Sequence, residues 1–214
     1  EARGSARKRA EIPALDVEVE KCVPAGSGRG AGNGNAGAML KLRAGKYGAR
    51  LSDEETARLG ADVAFLASGH VMAEARGVGE KMTPFAPPFD LRWLLVFPEW
   101  SSGTKEAYAK LDALREARGE RRNVETAADM RLVEALARGE RAGLMPNDFY
   151  EVSAAEHAEY AAAERTAETT GARGWGLCGS GSAFFALYAG AEEAAEAERA
   201  FESMDWVLKT YTVE

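Results

Sequence analysis

Cysteine and histidine are almost missing from this sequence, and their scarcity narrows the chemistry open to it. Cys22 and Cys178 are its two cysteines, and His70 and His157 its two histidines. Two cysteines cannot build a disulfide framework, and neither stands in a CxxC or related metal-ligand spacing. Two isolated histidines argue against a histidine-based metal site. An excess of positive charge is missing as well: 27 Lys and Arg stand against 34 Asp and Glu, a formal net charge of −7. That balance argues against a general binder of nucleic acid or of anionic membranes. It leaves room for a local basic pocket around a phosphorylated ligand. No apolar run approaches the roughly 20 residues that span a bilayer. The basic stretch from Glu1 to Arg9 lacks the apolar core of a secretory signal. These absences set the expectation of a reduced cytoplasmic protein. Because the sequence opens on Glu1 with no methionine, it is expected to begin inside a larger protein.

What is present is the balance of a globular chain, 46% hydrophobic and 29% charged residues in 214, enough for one large domain or two small ones. Glu1 to Lys8 reads as the charged end of a helix. Leu15 to Lys21 alternates apolar and charged residues, which predicts a half-buried strand. It leads into a loop with five glycines in the nine positions from Gly26 to Gly34. Ala36, Met39, Leu40 and Leu42 then carry an apolar stripe at helical spacing. Ser52-Asp53-Glu54-Glu55 predicts an N-cap with an acidic first turn, opening a helix through Leu59. Val71 to Glu80 reads as a strand and turn, and the cluster Pro84, Pro87 and Pro88 as a domain boundary. Beyond it a buried strand is predicted over Arg92 to Pro98, and helices over Lys105 to Arg118, Ala127 to Arg138 and Ala154 to Thr169. A strand, glycine turn and strand follow over Trp175 to Tyr188, then a helix over Ala191 to Met204 and a last strand over Trp206 to Val213. No internal repeat is visible.

Three features could carry chemistry. Glycines let backbone N–H groups approach a ligand closely, and a following helix offers the positive end of its dipole. The loop therefore suits nucleotide phosphates, and its alternative is a surface turn. No Gly-Lys-Ser/Thr follows the glycines and the strict dinucleotide fingerprint is absent, so neither of those phosphate loops fits. Asp62, inside the apolar run Leu59 to Leu66, is costly to bury unless paired or used. A general base acting on a hydroxyl needs such a carboxylate, and the alternative is a helix cap. Gly179, Ser180, Gly181 and Ser182, between two apolar strands, form either a tight hairpin or a wall of a site. Asn147-Asp148-Phe149, after Pro146, reads as a turn or a cap.

In this order these elements resemble the GHMP kinase superfamily and, within it, the diphosphocytidyl-methylerythritol kinases. The glycine stretch from Pro24 to Gly37 parallels that family's phosphate loop, with Asn33 and Gly34 in place of two serines and Arg29 in place of leucine. Leu59 to Phe65 parallels Leu-Gly-Ala-Asp-Val-Pro-Phe, Gly77 to Glu80 a Gly-x-Gly-Glu segment, and Cys178 to Phe185 a Ser-Gly-Ser-Gly-Ser/Ala-Thr-x-Phe segment. Asn147 to Glu151 parallels Asn-Asp-Leu/Phe-Glu with Tyr150 inserted, and Pro98, Thr104 and Tyr108 fit a further stretch. The family's opening lysine strand and Gly-Tyr-His segment have no counterpart here.

The resemblance implies an α+β two-lobe GHMP kinase fold: a partial ribosomal S5 domain 2-like, ATP-binding lobe over residues 1–88 and a ferredoxin-like C-terminal lobe over 89–214. It implies ATP-dependent phosphorylation of a hydroxyl on a cytidine-diphosphate sugar alcohol, with Mg²⁺ assisting, and no nucleic-acid or membrane partner. Asp62 would be the base. Pro24, Gly26, Ser27, Gly28, Gly30, Ala31, Gly32, Asn33 and Gly34 would hold the ATP phosphates, and Gly179, Ser180, Gly181 and Ser182 would line the site from the second lobe. No direct protein ligand to a metal is identified. Residues 1–88 should lack strands of their lobe, so this stretch of chain by itself is expected to be poorly stable and inactive. A diverged GHMP-fold protein that only binds a nucleotide or sugar phosphate is the rival within the fold. A non-enzymatic ferredoxin-like interaction module is the rival outside it.

Overall fold

In the computed structural model, residues 13–20, 31–60, 62–77, 79–120 and 130–213 are described. The helix expected at Glu1 to Lys8 and the loop positions Pro24, Gly26, Ser27, Gly28 and Gly30 lie outside them. So do Ala61, Val78 and the start of the helix expected from Ala127. The chain separates into two compact units that part between Ala86 and Pro87.

In the first unit, helix α1 (Ala31–Tyr47) is followed by the short helices α2 (Asp53–Ala57) and α3 (Val63–Ser68). The 17 residues of α1 include glycines at 32, 34, 37 and 45, a poor composition for an isolated helix. Packing on α3 supplies what propensity does not. Gly37 lies so close to α3 that a Cβ there would fall 2.8 Å from the Leu66 Cβ. Helix α2 is closed by a capping box. The Ser52 hydroxyl accepts from the Glu55 N–H at 3.2 Å, and the Glu55 carboxylate accepts from the Ser52 N–H at 2.9 Å. Helix α3 ends at Gly69, whose φ of +84° closes it in the left-handed conformation. A two-stranded antiparallel hairpin, β1 (Met72–Arg76) and β2 (Lys81–Phe85), completes the unit.

The strand expected at Leu15 to Lys21 is corrected over its described part. Residues 13–20 form no strand and are exposed throughout, with Val17 at 52% and Val19 at 48%. Alternation alone does not make a strand. It needs a neighbour to take its N–H and C=O groups, and the described residues provide none. Strand β2 was not expected, since Pro84 stands with Pro87 and Pro88 in the cluster that reads as a domain boundary. It fits an outer position in a hairpin, where Pro84 lies opposite Ala73.

The second unit is a five-stranded sheet in the order β4-β5-β6-β3-β7, formed by β3 (Arg92–Pro98), β4 (Gly143–Leu144), β5 (Gly174–Leu177), β6 (Phe184–Tyr188) and β7 (Val207–Val213). Only β4 pairs in parallel, with β5. The four main strands, in the order β5-β6-β3-β7 with antiparallel neighbours and helical crossovers from β3 to β5 and from β6 to β7, make the ferredoxin-like pattern. Five helices accompany them: α4 (Thr104–Ala117), α5 (Met130–Ala137), α6 (Tyr150–Glu156), α7 (Glu159–Thr169) and α8 (Ala191–Glu202).

Strand β3 is buried on both faces. Leu94 and Val96 join Phe184, Tyr188, Tyr160 and Phe201 on one side, while Leu95 and Phe97 pack with Ala183 on the other. Alanines at 163, 167, 194 and 197 bring α7 and α8 close to the sheet. The single helix expected over Ala154 to Thr169 is two. His157 leaves helical geometry, at φ −131° and ψ 96°, and stacks its ring on Trp100 with centroids 4.1 Å apart. A tertiary ring contact, rather than a glycine or proline, breaks the helix.

Candidate functional site

The Asp62 carboxylate in the first unit is held by one side chain. Asn33, in the first turn of α1, donates from Nδ2 to the Asp62 Oδ2 at 3.1 Å. The two residues meet because α1 and α3 pack through Gly37 and Leu66, and because Gly60 leaves space for the amide. A Cβ at Gly60 would fall 2.7 Å from the Asn33 Oδ1. Asp62 stands at the N-cap position of α3 yet makes no side-chain cap bond, so its carboxylate is not committed to its own helix. It is exposed, whereas Val63 and Ala64 beside it are buried. The cost of burying a charge, the reason for singling Asp62 out, is thus avoided: the apolar run turns into helix at the aspartate and only its following residues enter the core.

The expected loop ends sooner than its glycines imply. Ala31, Gly32, Asn33 and Gly34 form the first turn of α1, not a loop. The backbone N–H groups of Ala31, Gly32 and Asn33 are among those a helix leaves without an internal partner. The first turn carries no acidic residue, so the positive end of the helix dipole is not offset from within α1. Gly34 has open space where a side chain would be, with nothing within 4 Å of a Cβ.

In the second unit, Gly179 to Ser182 forms the turn between β5 and β6, with φ of +52° at Gly179 and +88° at Gly181. Its hydroxyls are engaged. Ser182 donates to the Trp100 carbonyl at 2.8 Å, and Ser180 donates to the Thr104 hydroxyl at 3.3 Å. Below the turn the Tyr160 hydroxyl donates to the Ser182 carbonyl at 2.7 Å. Burial pushes the Tyr160 phenol up to about 12.

Asn147 was underrated by its sequence. Its Nδ2 donates to the carbonyls of Leu177 at 3.0 Å and Gly179 at 2.9 Å, while its Oδ1 accepts from the Phe149 N–H at 2.8 Å. One amide thus folds its own turn and pins the glycine turn. Asp148 pairs with Arg115 at 2.8 Å, Glu151 pairs with Arg118, and Phe149 meets Tyr108 edge to face. Asn147, Asp148, Phe149 and Glu151 thus form a clasp joining α4 to the glycine turn, while the Tyr150 hydroxyl donates to the Glu164 carboxylate on α7. Gly60 entered only as part of the Leu59 to Phe65 segment, since a glycine two residues before an aspartate reads as turn chemistry and gives no sign of a side chain passing over it.

No group of three or more His, Cys, Asp or Glu side chains among the described residues could hold a metal ion. Mg²⁺ in phosphoryl transfer is typically carried by phosphates and one or two carboxylates rather than by a protein cage. No described helix is long and apolar enough to cross a membrane.

Comparison with known proteins places these features in context. Residues 127–205 match the model of the GHMP kinases C terminal family. A 4-diphosphocytidyl-2-C-methyl-D-erythritol kinase of Nitratidesulfovibrio vulgaris (strain DP4) is 33% identical over 197 residues, 90% of this chain and 66% of the relative. The enzyme of that name from Solidesulfovibrio magneticus is 36% identical over 188 residues, 82% of this chain and 61% of the relative. This chain thus spans just under two thirds of the length of these curated relatives. The crystal structure of a 4-(cytidine 5'-diphospho)-2C-methyl-D-erythritol kinase superposes with a TM-score of 0.65 at 30% identity, over 90% of this chain and 68% of that one. A homoserine kinase from Cytophaga hutchinsonii shares the fold at 17% identity, also with a TM-score of 0.65, over 91% of this chain and 68% of that one.

Proposed function

The chain belongs to the GHMP kinase family, and from that premise we propose that it phosphorylates a hydroxyl of 4-diphosphocytidyl-2-C-methyl-D-erythritol at the expense of ATP. The setting proposed is non-mevalonate isoprenoid precursor synthesis in the cytoplasm. The observation that carries the reading is the Asn33–Asp62 pair at the first turn of a 17-residue helix.

A carboxylate fixed beside free helix N–H groups suits the transfer of a phosphoryl group to an alcohol. Such transfer rests on positioning and charge stabilisation more than on covalent chemistry. The N–H groups at Ala31 to Asn33, with the preceding glycines Gly26, Gly28 and Gly30 and the open space at Gly34, would cradle the ATP phosphates. The α1 dipole would favour their negative charge. Mg²⁺ would arrive with the nucleotide and neutralise phosphate charge. Asp62, through the oxygen that Asn33 leaves free, would accept the proton of the substrate hydroxyl as the new bond forms to phosphorus. The turn from Gly179 to Ser182 is proposed as a second ligand-contacting element, shaped in advance by Asn147, Trp100 and Thr104.

The direct test follows ADP release by the full-length gene product with ATP and Mg²⁺, with and without the diphosphocytidyl sugar alcohol. Release that depends on this acceptor is expected. A folded protein that binds ATP but releases no ADP with the acceptor present would overturn the reading.

A further inference from the structure

Resting on that reading, we propose that the Asn33 side chain is a positioning group that orients the Asp62 carboxylate for proton acceptance, rather than a side-chain ligand of the ATP phosphates. Asn33 stands where the resembling family carries the first of two serines, and the place alone would assign it to phosphate. The geometry points elsewhere. Its Nδ2 is aimed at the Asp62 Oδ2, 3.1 Å away. A serine hydroxyl, one bond shorter than the asparagine amide, would not reach the carboxylate from the same backbone position.

Two glycines make the reach possible. Gly37 lets α1 approach α3 to within the width of a Leu66 methylene, and Gly60 leaves the space occupied by the Asn33 Oδ1. A methyl group at Gly60 would lie 2.7 Å from that oxygen and 3.1 Å from the Val63 Cγ2. The amide is therefore confined on one side by backbone and turned toward the carboxylate on the other. Asp62 needs such a partner, because its own helix offers its side chain no cap bond and its exposure leaves the carboxylate free to rotate. A neutral amide donor fixes the rotamer without placing a charge beside the carboxylate. One oxygen accepts from Asn33 and the other is left to face the incoming hydroxyl.

The test is a mutant cycle in the full-length protein: Asn33→Ala, Asp62→Asn and the double variant. Turnover is followed by ADP release and ATP affinity by calorimetry. Loss of orientation should lower kcat by about 10- to 100-fold while the ATP dissociation constant stays within about twofold. The Asn33→Ala change should cost nothing further once Asp62 is asparagine, since a residue acting through another is not additive with it. Gly60→Ala, which keeps Asn33 but displaces its amide, should reproduce the loss in kcat, and it replaces Asn33→Ala if that variant does not fold. An Asn33→Ala protein with normal kcat and weakened ATP binding, or with a loss that adds in full to that of Asp62→Asn, would overturn the proposal. Either result would return Asn33 to the phosphates. Absence of turnover in the wild type would instead overturn the phosphoryl-transfer reading, and an Asp62→Asn variant as active as wild type would overturn the proton-accepting role of Asp62; either result takes this inference with it.

Discussion

Individual side chains in this protein do more than their types announce, and Asn147 is the clearest case. Its amide satisfies two carbonyls and one N–H, so Asn147→Ala removes three hydrogen bonds and takes this donor from the carbonyl of buried Leu177. With net values near 1 kcal/mol per bond, a loss of about 1–3 kcal/mol is expected, read as a lower denaturant midpoint with unchanged slope. Gly181 presents a different constraint. At a φ of +88° any side chain is strained, and Gly181→Ala should cost about 1–2 kcal/mol in the same measurement. What was legible at this scale was the presence of Asp62 and of the second glycine turn. The partners of each were not. Neither Asn33 reaching across 29 positions nor Asn147 reaching across 30 or more leaves a periodic trace in sequence.

At the scale of elements, most helices and strands are written in local pattern, and the exceptions share a cause. The capping box at Ser52 and Glu55 and the buried strand from Arg92 to Pro98 stand where pattern puts them. The failures occur where a tertiary partner decides. The first turn of α1 looks like loop because of its glycines, yet it is helix because α3 supports it. The helix near His157 breaks because a tryptophan ring offers a better partner than the next helical turn. Residues 13–20 alternate like a strand and have none beside them among the described residues. The packing of α1 on α3 is open to a direct check. Gly37→Ala would set a Cβ 2.8 Å from the Leu66 Cβ and 2.9 Å from its carbonyl carbon. Backbone cannot yield as a flexible side chain does, so the change should cost about 1–3 kcal/mol and pull Asn33 away from Asp62. Reduced helix content together with a loss of turnover would be the expected pair of results.

Over the whole molecule, the fold class could be read from the motifs together with the order of elements, and the ferredoxin-like strand order of the second unit bears it out. The second unit also carries a pH limit. Tyr160 and Tyr188 are fully buried, and burial pushes both phenols up to about 12 from an ordinary value of 10.0. Above pH 10 the unfolded chain ionises these groups while the folded protein holds them neutral, so protons favour the folded state. Stability from this source is complete below pH 10 and is lost as the pH rises toward 12. Thermal melts across that window should show a falling midpoint. Tyr160→Phe should flatten the fall while also losing the hydrogen bond to the Ser182 carbonyl. The exposed ion pairs of α4 with the Asp148–Glu156 stretch contribute little individually.

The account as a whole turns on Asp62 as the group that receives the hydroxyl proton. The most direct measurement is the single-turnover rate of phosphoryl transfer from ATP to the diphosphocytidyl sugar alcohol, in the full-length protein, wild type against Asp62→Asn. The account predicts a rate lower by about 100-fold or more in the variant, with ATP still bound at wild-type affinity. Transfer by Asp62→Asn at the wild-type rate would contradict it.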